Sequence, residues 1–382
     1  MPGRRKRADG ISDRQRALDD GFMDRALTLA TRGLGRTHPN PAVGAVVVRA
    51  GRVVGEGYHR RAGTPHAEAI ALRRAGEHAG RATLYVTLEP CVHVGRTPPC
   101  LDAVLRSRVR RVVIGMTDPD RRVRGRGVRA LRRAGIEVSV GVRRRDCHRL
   151  LAGYVMRTRV QRPLVVLKLA ASLDGRIAAA GGASRWITGA AARRRVHEMR
   201  NRFDAVMVGS GTVRADDPRL TCRLKGGRDP IRVVIDGSLQ TSVRSRVIGA
   251  HSRAPTWLFT THAASPRRAS RLDRAGVEVV RSRGREHVDL RDVLRQLGAR
   301  GVTSVLLEGG AELAAAALRA RVVDRLVLFV SPLVIGGDGV PAVASLGTRY
   351  PSRALRLQGM RHELIGEDLV VEASLPFSPG AL

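Results

Sequence analysis

The chain has 382 residues and carries 69 Lys and Arg against 34 Asp and Glu, a formal net charge of +35. That length accommodates two domains with sizeable cores, and no apolar run reaches the ~20 residues of a membrane-spanning helix. Only 3% of residues are aromatic, and apart from Lys6, Lys168 and Lys225 the basic residues are arginines spread along the whole chain, which argues against a base-stacking nucleic-acid platform and for a solvated cationic surface.

Four scattered cysteines (91, 100, 147 and 222) do not form a disulfide framework, so metal use is the better reading. Residues 1–19 are basic and lack the apolar stretch of a signal peptide. They are expected to be a disordered extension on a cytoplasmic protein. A homo-oligomer is among the states the sequence leaves open.

The first elements read as follows. Residues 18–33 place Phe22, Ala26, Leu27, Leu29 and Ala30 at helical spacing. "VGAVVV" (43–48) and "RVVGEGY" (52–58), joined by Arg49-Ala50-Gly51, predict a hairpin. A helix is expected from Pro65 with Thr64 as its N-cap. Strands at 83–88, 110–116 and 136–140 then alternate with helices from about Pro99 and Arg126. A connecting helix is expected near 145–163, with domains at 20–162 and 163–375. The pattern restarts with strands at 164–175, 204–209, 231–236, 256–261, 304–310 and 324–330. Helices are expected at 190–202, 288–298 and 311–319, and residues 272–286 read as a surface segment.

The chemistry concentrates first in "TPHAEAIAL" (64–72) and "TLEPCVHVGRTPPC" (87–100). His-x-Glu, then Pro-Cys, then a second Cys is the zinc deaminase signature, and here both cysteines follow a proline. His66, Cys91 and Cys100 supply three ligands and leave a fourth position open, where water is activated near neutral pH. Glu68, two residues from His66, projects differently and suits a proton shuttle between water and a leaving amine. Eight residues separate the two cysteines, where the common deaminase loop has two. His93, two residues from Cys91, could instead close the site as a fourth ligand and make the zinc structural. Pro39-Asn40-Pro41 reads equally as a turn or as an amide lining a pocket. In the second half no G-x-G-x-x-G follows an early strand. Glu308-Gly309-Gly310 is a strand-to-helix turn whose backbone N–H groups could hold phosphate, or simply a tight turn. Lys168 inside an apolar strand is a compact donor that arginine cannot mimic. Asp174 pairs with it or caps the turn. Any single arginine, Arg200 and Arg223 included, is equally a surface charge.

Together "HPNPAVG" (38–44), "HAE" (66–68), "LEPCVHVGRTPPC" (88–100), "KLAASLDG" (168–175), "WIT" (186–188) and "ADDPRLTCR" (215–223) resemble the bifunctional deaminase–reductase family of riboflavin biosynthesis over residues 20–373. Val92 stands where that family has Ser, and Asp120 where it has Asn.

The resemblance implies an α/β protein with a cytidine-deaminase-like three-layer α/β/α domain followed by a dihydrofolate-reductase-like α/β domain. It implies Zn2+ and NADPH as cofactors and a phosphorylated pyrimidine as substrate. The first reaction would deaminate a diaminopyrimidinone bearing a ribosylamino 5-phosphate, and the second would reduce its ribosyl group to ribityl. Asn40 would line the pyrimidine pocket. Ala170, Trp186, Thr212, Asp216 and the run Gly310, Ala311, Glu312, Leu313, Ala314, Ala315 and Ala316 would touch the dinucleotide. Lys168, Ser184, Arg200, Leu220, Arg223 and Glu308 would contact the second substrate. A zinc deaminase acting on a nucleic-acid base is the alternative, and it predicts basic and aromatic clusters after residue 163 that the sequence lacks.

Overall fold

The computed structural model describes residues 12–93, 98–249 and 251–378. They divide into two compact units at Val160/Gln161. The expected extension over 1–19 ends early. Helix α1 spans Asp13–Thr31, with the Ser12 hydroxyl accepting from Gln15 N. The apolar spacing first shows at Leu18, but the helix reaches back to its cap. Asp19 is pulled inside the unit, where Arg111 Nη1 and Nη2 and Tyr85 Oη donate to it, each at 2.8 Å. Residues 1–11 lie outside the described residues.

The first unit continues with β1 (Gly44–Arg49), β2 (Arg52–Tyr58), α2 (Ala67–Ala75), β3 (Thr83–Leu88), α3 (Cys100–Arg106), β4 (Arg111–Met116), α4 (Arg126–Arg133), β5 (Glu137–Val140), α5 (Arg144–Leu150) and α6 (Ala152–Val160). Its sheet runs β2-β1-β3-β4-β5, antiparallel through β3 and parallel beyond it. Ala50 and Gly51 close the hairpin with φ of +48° and +75°, as a right-twisted two-residue turn requires.

Three glycines set the layers. A Cβ on Gly44 would strike Ala26 O in α1 at 2.0 Å, and Cβ atoms on Gly55 and Gly57 would strike Ala71 O and Ala67 O in α2 at 2.2 and 2.7 Å. Gly44 pairs with Tyr58, whereas Gly55 and Gly57 pair with Val47 and Ala45. Alternation along the strands therefore puts α1 and α2 on opposite faces, giving three layers. α2 starts two residues later than expected. His66, not Thr64, is its N-cap residue; the Thr64 hydroxyl instead donates to Arg61 O at 2.7 Å in the preceding turn. The connecting segment forms two helices rather than one.

The second unit contains β6 (Leu164–Ser172), β7 (Arg176–Ala178), α7 (Ala190–Arg202), β8 (Ala205–Gly209), α8 (Ser210–Asp216), β9 (Ile231–Ile235), β10 (Thr256–Thr260), α9 (Pro266–Arg274), β11 (Glu278–Arg281), α10 (Leu290–Ala299), β12 (Ser304–Leu307), α11 (Ala311–Arg319), β13 (Arg325–Ser331), β14 (Val340–Pro341), β15 (Gln358–Ile365) and β16 (Asp368–Ser374). Nine strands run β11-β10-β9-β8-β12-β6-β13-β16-β15. The first seven are mutually parallel, and β16 and β15 add antiparallel at one edge. Continuous apolar runs such as Val165–Leu167 and Val305–Leu307 are buried on both faces, as a covered parallel sheet requires.

Residues 272–286, expected to be surface loop, instead supply the end of α9 and edge strand β11. The short apolar pair Val279-Val280 is too brief for periodicity to register.

Candidate functional site

The turn into α2 and the turn into α3 meet at one place. His66 has extended backbone (φ −73°, ψ 167°) immediately before α2, and Cys100 opens α3 after Pro99. His66 Nδ1 lies 3.1 Å from Cys100 Sγ and 3.6 Å from Cys91 Sγ. The three donor atoms all lie within 4.8 Å of one another. Tetrahedral zinc with bonds of about 2.1 Å to nitrogen and 2.3 Å to sulfur separates its N and S ligands by about 3.6 Å, so this donor set fits zinc. His93 stands outside the cluster. Three protein ligands match a site with an open position rather than a closed structural one.

The Cys100 thiol beside Cys91 holds the latter well below the usual thiol value, despite burial, while Cys100 itself is pushed up. The Cys100 backbone N–H also donates to Cys91 Sγ at 3.3 Å. Zinc bound there would take both sulfurs as thiolates. Glu68, in the first turn of α2, is 3% exposed. Burial lifts its carboxyl to about 7, against the opposing charge of His66. A carboxyl poised there can both take and give a proton at neutral pH.

Sequence reasoning placed Asn40 here and missed what holds it. Asn40 N donates to Thr37 O at 2.8 Å, so the turn exists. Its side-chain Nδ2 reaches His59 Nε2 at 3.2 Å, and the His59 ring packs edge-on against His66 with centroids 4.9 Å apart. Burial, then the His66 charge, lower His59 to about 4. Glu89 was also missed. Its carboxylate accepts from the backbone N–H of Asp118, Gly125 and Val128 at 3.1, 2.9 and 3.1 Å. This fastens the loop before α4 to the strand end that carries Cys91. The only signal was a Glu inside an otherwise apolar strand end.

In the second unit a cleft of about 500 Å³ opens beside the C-terminal ends of β6, β8 and β12, where parallel α/β sheets bind ligands. Lys168, Ala170, Ser184, Trp186, Arg200, Thr212, Asp216, Leu220, Arg223, Glu308 and Gly310 all line it. The rest of the 310–316 run does not. Ala311, Leu313, Ala314 and Ala315 are buried, Glu312 is exposed and Ala316 is half-buried. Leu313 and Ala314 belong to the hydrophobic core. Gly310 N is also already engaged, donating to Thr212 Oγ1 at 3.0 Å. Ser184 Oγ donates to Asp216 Oδ1 at 2.9 Å, which ties the loop before α7 to α8.

At the cleft floor Arg200 grips Glu308 with two bonds, Nε to Oε1 at 2.7 Å and Nη2 to Oε2 at 2.9 Å, and gives Nη1 to Thr221 O at 3.2 Å. Its Nε, Nη1 and Nη2 are thus each engaged inside the protein. Lys168 Nζ stands 3.9 Å from Glu308 Oε2. Burial lowers Lys168 below the usual lysine value, Glu308 opposing, while Arg200 and Lys168 hold Glu308 below the usual carboxylate value against its own burial. The carboxylate is satisfied first by Arg200; the ammonium receives the weaker share. Asp174 does not pair with Lys168: it accepts from Ser172 Oγ and from Ile335 N and Gly336 N at 2.6, 3.1 and 2.7 Å, which settles it as a turn cap. Burial and the charges of Arg200, Arg219, Arg246 and Arg193 lower Arg223. Burial, Arg200 and Arg223 push His197, another cleft residue missed in sequence, down to about 4.

The two units match two known domains. The cytidine and deoxycytidylate deaminase zinc-binding region matches residues 16–116, and the RibD C-terminal domain matches residues 163–371. The riboflavin biosynthesis protein RibD of Aquifex aeolicus is 41% identical over 357 residues, covering 93% of this chain and 98% of that one. The chain belongs to the RibD family. RibD of Escherichia coli is 42% identical over 370 residues, covering 92% and 98%.

Among solved structures, Acinetobacter baumannii RibD superposes with a TM-score of 0.84 at 35% identity, covering 94% of this chain and 99% of that one. A Thermotoga maritima diaminohydroxyphosphoribosylaminopyrimidine deaminase/5-amino-6-(5-phosphoribosylamino)uracil reductase does so with a TM-score of 0.84 at 38% identity and the same coverage. The protein is thus a bifunctional enzyme of riboflavin biosynthesis, with a zinc deaminase unit and an NADPH-type reductase unit acting on a small pyrimidine. Among the described residues no helix is long and apolar enough to cross a membrane.

Proposed function

We propose that the first unit hydrolytically deaminates 2,5-diamino-6-(5-phosphoribosylamino)pyrimidin-4(3H)-one, and that the second reduces the ribosyl group of the product to ribityl. The carrying observation is the His66, Cys91, Cys100 cluster with buried Glu68 beside it. Zinc held by those three residues would supply a Lewis acid that makes water nucleophilic near neutral pH. Glu68 would take a proton from the attacking water and return one to the departing amine. Asn40 orients the pyrimidine edge.

In the reductase cleft, NADPH would supply hydride to the anomeric carbon of the ribosylamino group. Ser184 and Asp216, joined to each other, and Trp186, packed under Arg193 with the guanidinium carbon 4.5 Å from the ring centroid, are the residues that would hold the cofactor. Lys168 donates to the ribose being opened and is aimed by Glu308, itself fixed by Arg200. Arg223, Arg219 and Arg246 gather cationic charge along one stretch of the cleft, matched to the substrate phosphate. We also take the protein to be cytoplasmic and its positive charge to favour this anionic substrate over nucleic acid.

Mass analysis of products tests the reading. The substrate should first exchange an amino for an oxo group without NADPH, then gain two hydrogens once NADPH is added. Reduction that precedes any ammonia release would refute the order.

A further inference from the structure

We propose that His59 is a positioning residue that fixes which edge Asn40 presents to the deaminase substrate. The proposal deepens the deaminase reading above. His59 Nδ1 lies 3.3 Å from the Pro65 carbonyl oxygen. A carbonyl only accepts, so Nδ1 carries the ring proton and donates it there. In the neutral ring Nε2 is then a bare acceptor. It faces Asn40 Nδ2 at 3.2 Å, so Asn40 must turn its NH2 toward His59. Asn40 Oδ1 consequently has no hydrogen bond to the protein among the described residues and remains an acceptor.

The relay is held at several points. The ring belongs to a residue only 2% exposed, so water cannot replace either bond. His59 N donates to Val43 O at 2.9 Å, just ahead of the start of β1, and Gly33 packs so closely that a Cβ there would lie 2.7 Å from His59 O. The same ring packs against zinc ligand His66, which brings the Asn40 amide beside the reacting centre. An acceptor at that point selects a pyrimidine edge bearing N–H donors and disfavours one bearing a carbonyl, because the mismatch would leave two facing lone pairs desolvated. With His59 gone the amide is free to flip, and half of its orientations present NH2 instead.

Two variants and one spectrum test this on the zinc-loaded full-length protein. Long-range 1H–15N correlation spectra of the wild type should show His59 protonated on Nδ1 and bare on Nε2. His59→Phe keeps the ring volume and removes the acceptor. It should raise KM for ammonia release about tenfold, the worth of one ordered hydrogen bond at a buried site, with bound zinc unchanged and kcat within about threefold. His59→Gln, whose Oε1 can reach the Nε2 position, should recover most of the loss. A ring protonated on Nε2, an unchanged KM in His59→Phe, zinc lost in step with activity, or no recovery in His59→Gln would each overturn the proposal. A wild-type protein that releases no ammonia would refute the deaminase reading instead, and the spectrum would still decide the relay.

Discussion

Lys168→Met separates what the reductase cleft needs from what the fold needs. The ammonium sits 3.9 Å from Glu308 Oε2, while Arg200 occupies both carboxylate oxygens at 2.7 and 2.9 Å. Burial outweighs the attraction to Glu308, so the folded state holds Lys168 below its ordinary value of 10.5. The folded protein therefore binds that proton less well than the unfolded chain does. Stability should rise with pH as the folded-state ammonium titrates, over the window that ends at the ordinary lysine value.

Methionine fills the same strand position without a charge and leaves Glu308 paired to Arg200. The substitution should stabilise the second unit by about 1 kcal/mol at pH 7, or about 2–4 °C in Tm for a unit of this size, and abolish the rise toward alkaline pH. Reduction of the deaminated substrate should fall about 10²–10³-fold, the usual loss of one charged donor to a transition state. Calorimetry from pH 7 to 10 and NADPH absorbance read the two effects. Destabilisation by more than about 2 kcal/mol would show that Lys168 braces the fold, and unchanged reduction would remove it from the chemistry.

Other perturbations follow from the same geometry. Glu68→Gln should retain bound zinc and lose ammonia release by about 10²–10⁴-fold, as metal analysis and a coupled ammonia assay would show. Reduction of pre-deaminated substrate should be untouched. Stripping zinc with a chelator should silence deamination in the same way and leave that reduction intact, and readded zinc should restore it. Asp19→Ala leaves Arg111, 5% exposed, without its two-pronged partner. Removing one side of such a buried pair costs about 3–5 kcal/mol, which should lower the Tm of the first unit by about 6–20 °C while kcat for deamination below that temperature stays the same.

The zinc cluster was legible because its chemistry demands residue types that nothing else in a cysteine-poor chain explains. His66, Cys91 and Cys100 stand in order on a helix start and a Pro-Cys loop, and the fold brings them within bonding distance of one ion. His59 was not legible. One histidine at the end of β2 carries no signal until the fold sets it between Asn40 and Pro65. The buried Asp19–Arg111 pair was hidden for the same reason: its members are 92 positions apart, and among so many charges each reads as surface. Lys168 was visible by contrast with the arginines around it, whereas the part played by Arg200 was not, because only the structure shows its guanidinium already spent on Glu308. The C-terminal hairpin of β15 and β16 escaped detection because β15 is almost wholly exposed, so no alternation of buried and exposed residues marked it.

Sequential chemistry on one substrate is the central claim, and one cuvette tests it. Purified zinc-loaded protein is given NADPH and the diaminopyrimidinone ribosylamino phosphate, with ammonia and NADPH absorbance followed together. The account predicts ammonia release first, then an equal amount of NADPH consumed, with both lost in Glu68→Gln and only the second lost in Lys168→Met. NADPH consumption that proceeds undiminished in Glu68→Gln would contradict it.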